Sequence, residues 1–432
     1  MRRIVFVGGV LLLLVGLLAW SAPVELVFWH MEARPHRVER IKELCDQFNA
    51  EHPGIQVIPQ VQSWGEIYVK APAAIQAGRG PDFMLCIPDF LTYIKALGVV
   101  QPLDDLIAKL QGEYTFIQSS LDPYFFDGHY WAVPIYGMDF VLWYRKDLFE
   151  KAGLDPNKPP RTWDELLDVC EKLKASGVVE YPIAVPGAIH MATDQLIYTL
   201  MVVNKAEHIF GEDPNEIIFD NPRTVEAYAF YKKLFDYSPP GSENWKWDQP
   251  RTAFFTGQVA MVMEKGHYIK GWVDNTDLSL EYLGAAPVPV PEDGQPGTIY
   301  YSNGLMLLTD DPQKREAFAT FIRWLYQPEI MSRLLHMDPG FFLPVTQEVL
   351  YSDAFWSDPI IKEKTAAVVI AIESSKYGKL FGFTRDTVNP NVGAISAGNI
   401  LAWTAQQITV AGLSPAEAVA KGAEKMREAI RQ

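Results

Sequence analysis

Cysteine is scarce in this chain, positive charge is outnumbered, and the short motifs of most enzymes are missing. The three cysteines, Cys45, Cys86 and Cys170, are spaced neither as a CxxC pair nor as a metal-binding set. Cys45 shares an apolar helix face with Val38, Ile41 and Phe48, Cys86 lies inside a strand-like run, and Cys170 sits on another helix face. Three buried thiols are expected, with one disulfide left open in an oxidising compartment. Lys and Arg number 38 against 53 Asp and Glu, a net charge of −15. That balance argues against nucleic acid and against an anionic membrane surface as partners. It makes a neutral or cationic small molecule easier to accept than a polyanion. There is no P-loop, GxGxxG, GxSxG or HExxH, and the eight histidines have no spacing that would hold a metal. No catalytic residue, metal or cofactor is assigned. A glycosidase needs a carboxylate pair, and no pair stands out among so many acids.

Long apolar runs are absent beyond the N-terminus. Arg2 and Arg3 precede an apolar stretch from Ile4 to Leu18, and Ala19-Trp20-Ser21 offers small residues where a signal peptidase reads. A signal peptide over residues 1–21 is expected, cut after Ser21 or Ala22. An uncleaved membrane anchor is the alternative. No cysteine near that point offers a lipid attachment. The protein is therefore expected to be exported, periplasmic or extracellular, or tethered by that segment.

What remains is an ordinary globular composition, 48% hydrophobic and 21% charged, long enough for two domains or one bilobal one. Val24–Trp29 reads as a first strand, and a helix follows from Pro35 to about Ala50. Ile55–Val61 reads as a second strand and Trp64–Gln76 as a helix that Pro72 would kink. Gly78, Gly80 and Pro81 break the chain before the apolar run Phe83–Ile87, a buried parallel strand by length and type. Asp89 stands next, able to N-cap a helix from Phe90 to Leu97. Ligands bind at the carboxyl ends of strands in open parallel sheets, so Asp89 and Phe90 are either a cap and a core ring or a carboxylate and an aromatic face at a site.

Further on, Tyr130–Tyr144 is strand-rich. Thr162 with Glu165 forms a capping box, as Ser414 does with Glu417. A second α/β set follows: Tyr181–Val185 and Val259–Met263 as strands, Asp194–Val203 and Thr224–Tyr237 as helices. Prolines 287, 289, 291 and 296 punctuate an extended crossing. Asn303–Leu308 returns as a strand, Pro312–Tyr326 as a helix, and the tail reads as helices Val392–Ile408 and Ser414–Ile430. In the first three strands and helices the two alternate, which predicts parallel strands with right-handed crossovers there.

Several segments, in order, resemble the carbohydrate-binding family of extracellular solute-binding proteins of ABC importers, the maltose-binding-protein type. Val27-Phe28-Trp29-His30 is like that family's first strand. Phe48-Asn49-Ala50-Glu51-His52-Pro53-Gly54-Ile55-Gln56-Val57 is similar to its Phe-Asn…Pro-Gly-Ile-x-Val segment. Ala74-Ile75-Gln76-Ala77-Gly78-Arg79-Gly80-Pro81-Asp82 resembles its Ala-Ile-x-Ala-Gly-x-x-Pro-Asp, and Gly98–Asp104 its Gly-x-Val-x-Pro-Leu-Asp. Leu142–Phe149, Pro160–Leu166 and Phe254–Gly266 carry further likenesses. Gly266-His267-Tyr268 departs from the family's Gly-x-Trp.

The resemblance implies an α/β fold of the periplasmic-binding-protein type: two α/β lobes with mainly parallel sheets, a multi-strand hinge and a ligand between them. The implied first lobe is 22–138 plus 295–345, and the second is 139–294 plus 346–432. Crossings are expected near Ile135–Phe140, Pro287–Thr298 and Phe342–Gln347. It also implies a small-molecule carbohydrate ligand, membrane permease subunits of an ABC transporter as partners, no enzyme activity and a monomer.

A sugar site needs flat aromatic faces and fixed carboxylates or amides. Asp89 falls where the family has a hydroxyl-binding carboxylate, and Tyr268 where it has a stacking ring. Met31 and Glu32 follow the first strand, Tyr136 and Asp139 lie at the first crossing, and Trp64 stands over or under the second helix. Trp245 and Trp247 share a face if Gly241–Pro250 is extended. His267, Tyr301, Asn303 and Phe341 complete the candidates, with His190 and Arg385 weaker. A polyamine or other cationic solute would use Glu32, Asp89 and Asp139 around the same aromatics.

Overall fold

The computed structural model describes residues 22–384 and 387–431; the signal segment and Arg385 lie outside the described residues. Strands β1 (Val24–His30), β2 (Ile55–Val61) and β3 (Phe83–Cys86) alternate with helices Pro35–Glu51 and Ile67–Gln76. β1 pairs in parallel with both β2 and β3, as right-handed crossovers require. Rings lock the register: Phe28 lies opposite Phe83, and the two stack at 4.6 Å. Pro72 lies within its helix rather than ending it. β2 is at the sheet edge, where Pro59, lacking an N–H, leaves no ladder bond unmade.

A short hairpin of β4 (Phe125–Phe126) and β5 (His129–Tyr130) leads to β6 (Val133–Asp139) and then β7 (Val141–Arg145). β6 belongs to the first sheet and β7 to the second, so Phe140 alone separates them. Its N–H donates to Thr298 Oγ1 at 3.0 Å and its carbonyl accepts from the same hydroxyl at 2.8 Å. The second sheet adds β8 (Ile183–Ala184), β9 (Met261–Glu264) and β10 (Leu283–Ala286) in the order β10-β7-β9-β8. The chain then returns to the first sheet as β11 (Thr298–Leu307), inserted antiparallel between β3 and β6, and β11 starts five residues before the expected Asn303.

Parallel pairing thus holds for β1, β2 and β3 and for β8 with β9. The strands next to the crossings run antiparallel, because a chain that leaves a sheet and comes back re-enters it in reverse. Leu343 pairs with Gly137 of β6, and Thr346 with Phe116. Beyond them helix Thr365–Ser375 packs on β6, β7, β10 and β11 together. Just before that helix, Lys364 donates to Leu283 O of the second sheet at 2.9 Å.

Both capping boxes form, at Thr162 and Ser414. The expected helix Val392–Ile408 is instead two, Val392–Ala397 and Ile400–Thr409, broken where Asn399 adopts φ 44°, a conformation Asn tolerates better than most residues. All three cysteines are buried and free, each thiol pushed up by burial.

Candidate ligand site between the sheets

β1 and β3 end side by side, and the residues just past them face the second lobe. Two clusters form there, and they differ in how their charges are met.

The first centres on Arg37, in the opening turns of helix Pro35–Glu51. Its guanidinium donates to Glu32 Oε2 at 2.6 Å and to Asp338, through Nε at 3.1 Å and also through Nη2. Phe341 and Phe342 lie 4.6 and 4.9 Å beneath it. Tyr136 OH donates to the other oxygen of Glu32 at 2.8 Å. From the second lobe, His267 Nδ1 meets Arg37 at 3.2 Å, and His267 Nε2 meets Glu264 at 3.2 Å. Arg251 Nε donates to Glu264 Oε2 at 2.8 Å, and its Nη2 lies against His267. Burial and the flanking Arg251 hold His267 well below its ordinary pKa. Both ring nitrogens thus face an arginine N–H, Nδ1 that of Arg37 and Nε2 that of Arg251, and the neutral ring, with one acceptor nitrogen, can accept from only one of them. Arg37 keeps Asp338 below the usual carboxylate range, and Arg251 does the same for Glu264. Gly266 makes this meeting possible: a Cβ there would stand 2.1 Å from Gly340 O.

The second cluster is built on Asp89. Helix Pro88–Lys95 begins at Pro88 with Ile87 as its N-cap, so Asp89 is not the cap. Its Oδ2 accepts from Tyr68 OH at 2.7 Å, while Oδ1 is shut from solvent with no hydrogen bond of ordinary geometry; the Ser396 hydroxyl and the backbone N–H groups of Asp89 and Phe90 are the other donors near the carboxyl. Across from it stands Asp194, in the first turn of helix Met191–Val203, with Met191, Tyr301, Phe381 and Ser396 lining the same small cavity. Burial pushes both carboxyls up, Asp194 to about 8. Helix Val392–Ala397 closes over this end, and a side chain at Gly393 would run into Tyr93 and Asp89 O.

Further buried polar atoms lack a partner on both sides: His30 Nδ1, both amide atoms of Asn303, and Trp247 Nε1. Trp247 is half-buried, edge-on to His190 at 4.4 Å and 5.5 Å from Lys265 Nζ. Burial lowers Lys265 to about 8.

The structure thus brings Glu32, Tyr136, His267 and Phe341 around Arg37, and Asp89 and Tyr301 around one cavity. Asn303 is paired in register with Tyr136. Other expectations are corrected. Tyr268 is not a free stacking face: its ring is fully buried, stacked on Trp143 at 5.8 Å and packed by Phe254 and Phe255. Phe90 is likewise core, with Tyr68 at 4.9 Å and half-buried Trp64 at 6.4 Å on its edge. Asp139 faces away from the site. It pairs with Tyr300, an odd number of residues from Tyr136, and alternate residues of a strand take opposite faces. On that far face Tyr300 bonds to Ser120. Trp245 and Trp247 do not share an extended stretch, since Trp247 has helical angles; Trp245 holds the loop through its carbonyl, which accepts from Gly187 and Ala188 N–H. Met31 is buried beside His30 and Glu32. Arg37, Arg251, Glu264, Asp338 and Asp194 were not read from the sequence. The charged residues Arg37 and Arg251, which fall among apolar helix positions, were the available signal.

Residues 35–332 match the family model described as bacterial extracellular solute-binding protein. The chain belongs to that family. Among relatives of this solute-binding protein, the maltotriose-binding protein of Pyrococcus abyssi is 24% identical over 84% of this chain and 77% of its own. The sn-glycerol-3-phosphate-binding periplasmic protein UgpB of Shigella dysenteriae is 26% identical over 76% and 75%. A solved ABC transporter solute-binding protein of Thermotoga lettingae, bound with α-D-tagatose, superposes with a TM-score of 0.78 at 21% identity, covering 94% of this chain and all of that one. The family is one of binding proteins rather than enzymes. No helix among the described residues is long and apolar enough to cross a membrane.

Proposed function

We propose that this chain captures a carbohydrate, a sugar or oligosaccharide, between its two lobes and delivers it to the membrane permease of an ABC importer. The observation that carries the reading is the set of buried polar atoms without partners at the ends of the strands. Asp89 Oδ1, His30 Nδ1 and the Asn303 amide come from the first lobe and Trp247 Nε1 from the second. A buried polar atom left unpaired costs about 1–3 kcal/mol, and the hydroxyls of a sugar supply the missing partners. Trp247 offers the aromatic face that Tyr268 does not. Maltotriose and tagatose, bound by the relatives above, support the class.

We read the lobes as 22–138 plus 295–345 and 139–294 plus 346–432; the steps from β6 to β7 and from β10 to β11 support the first two boundaries. Ligand would enter with the lobes apart and contact both only when they close, so it shifts the open–closed equilibrium by its differential affinity. The closed form, in which Arg37 meets His267, would be what the permease recognises. We further read the protein as a monomer, exported and either free or tethered through residues 1–21.

A cation-selective site built on Glu32, Asp89 and Asp139 is not supported. Arg37 already neutralises Glu32, and Asp139 lies on the far face of its sheet. Thermal-shift screening of residues 22–432 against sugars and polyamines tests the reading, since binding raises stability by mass action. A sugar that raises the melting temperature in proportion to its concentration supports it. Stabilisation by polyamines alone overturns it.

A further inference from the structure

Asp89 and Asp194 come from opposite lobes and meet at one cavity. Asp89 is 2% exposed, and its Oδ1 has no partner. Asp194 accepts from Ala402 N–H at 2.6 Å through Oδ1. No basic side chain pairs with either among the described residues, and the charge that Asp194 feels most is Asp89 itself. Every other buried carboxylate in the cleft is matched: Glu32 and Asp338 by Arg37, Glu264 by Arg251. The remaining walls include two aromatic rings, Tyr301 and Phe381, and the Ser396 hydroxyl.

One carboxylate suffices to accept hydrogen bonds from a sugar hydroxyl. A second one, brought up by the opposite lobe, is accommodated only with a proton or another positive charge between them. Buried charge is tolerated when it is paired, and the missing partner here is a small cation with N–H donors. An ammonium group has the charge, the donors and an affinity for aromatic faces.

We infer that the carbohydrate carries a protonated amine, that is, an amino sugar, and that its ammonium sits between Asp89 and Asp194. The inference rests on the sugar-binding reading above. It differs from a polyamine site, because a single ammonium is matched in one corner while uncharged donors and acceptors, His30, Asn303 and Trp247, wait in the rest of the cleft. Closure then selects the ligand: an amino sugar removes the repulsion that the lobes meet on closing, and its neutral counterpart does not.

Calorimetry with hexosamines and short hexosamine oligosaccharides, each beside its N-acetylated and its hydroxyl counterpart, tests this at a pH where the amine is protonated. The amine is expected to bind at least about tenfold tighter than either counterpart, a difference of about 1.4 kcal/mol. In Asp194→Asn that preference should vanish, the amine binding no tighter than its hydroxyl counterpart does to the same variant. The variant retains an oxygen for Ala402 N–H, and its unliganded melting temperature should hold or rise, which separates lost recognition from lost folding. Equal or tighter binding of the hydroxyl or N-acetyl sugar overturns the inference and leaves the sugar-binding reading intact. So does an amine preference that survives Asp194→Asn. Binding of no sugar in any of the three forms overturns the reading beneath it, and the inference with it.

Discussion

The Arg37 cluster and the Asp89–Asp194 pocket lie in the same cleft, are buried to a similar degree and join the same two lobes, yet their charges are treated in opposite ways. Around Arg37 every carboxylate has a guanidinium partner, and the neutral His267 links one lobe's arginine to the other's glutamate. Around Asp89 two carboxyls share a cavity with no cation among the described residues, and an oxygen is left without a partner there. A matched network fastens the closed form without help. An unmatched one needs a guest. Burial and charge alone do not tell a binding site from a clasp; the count of satisfied partners does.

The largest expected break in that comparison is Arg37→Leu. It leaves Glu32 and Asp338 buried without their cation, and removal of one partner from a buried pair costs about 3–5 kcal/mol. Denaturant unfolding should show a loss of that order, with partial recovery when Glu32→Gln and Asp338→Asn are added. An unchanged midpoint would mean that the cluster contributes nothing to the closed form.

The pH dependence of stability separates the two regions next. Asp338 and Glu264 are held below their ordinary values, so their contribution is present above the unfolded carboxylate pKa near 4 and is lost as pH falls through the lower folded values. Asp194 is raised to about 8, and Asp89 and Asp139 are raised by burial. The native state therefore holds more protons than the unfolded one between about pH 4 and 8, and unliganded stability should fall across that window. A tenfold difference in proton affinity between folded and unfolded chain is worth roughly 1.4 kcal/mol, so the fall is on the order of a few kcal/mol. Asp194→Asn should flatten part of the alkaline limb and leave the acid limb alone, as read by urea unfolding at a series of pH values.

Smaller is the effect of Asp89→Asn on sugar binding, about 1.5–3 kcal/mol for a hydrogen bond to a charged group. Calorimetry should show that loss of affinity with the unliganded melting temperature nearly unchanged. The smallest effect is expected of Tyr268→Phe. Its buried hydroxyl has no hydrogen-bond partner, so binding should be unchanged and stability should hold or rise, by at most about 1–3 kcal/mol, whereas Tyr268→Ala should cost about 3–5 kcal/mol of stability through the cavity left beside Trp143.

Much of the fold was legible because many strands and helices carry their own local signal: the proline-glycine breaks, the apolar run Phe83–Ile87, the capping box at Thr162. The place of Asp89 directly after a buried strand was legible for the same reason, being a local fact. Tyr268 was misread because position along a motif says where a residue stands in the chain, not which way its ring turns. Here Trp143, from a strand more than a hundred residues earlier, takes up the face a ligand would have used. Asp139 was misread by one step of strand alternation, which depends on where β6 begins. Arg37, Asp338, Arg251 and Asp194 were invisible because their meaning lies in partners distant in sequence, joined only when β11 returns between β3 and β6.

Phe140 has a mechanical consequence. A joint one residue long permits turning but almost no sliding, so in the proposed opening and closing of the lobes Phe140 would serve as a fulcrum at this crossing. Both backbone groups of Phe140 are held by a single rotatable hydroxyl, that of Thr298, and not by a rigid strand ladder. The fulcrum can therefore turn through small angles while keeping its hydrogen bonds. Displacement grows in proportion to distance from it, so a change of a few ångströms where the cavity sits becomes a larger one at the outer lips of the lobes. A partner that touches only those far edges would sense an occupied cavity as a change in their spacing, without touching the ligand.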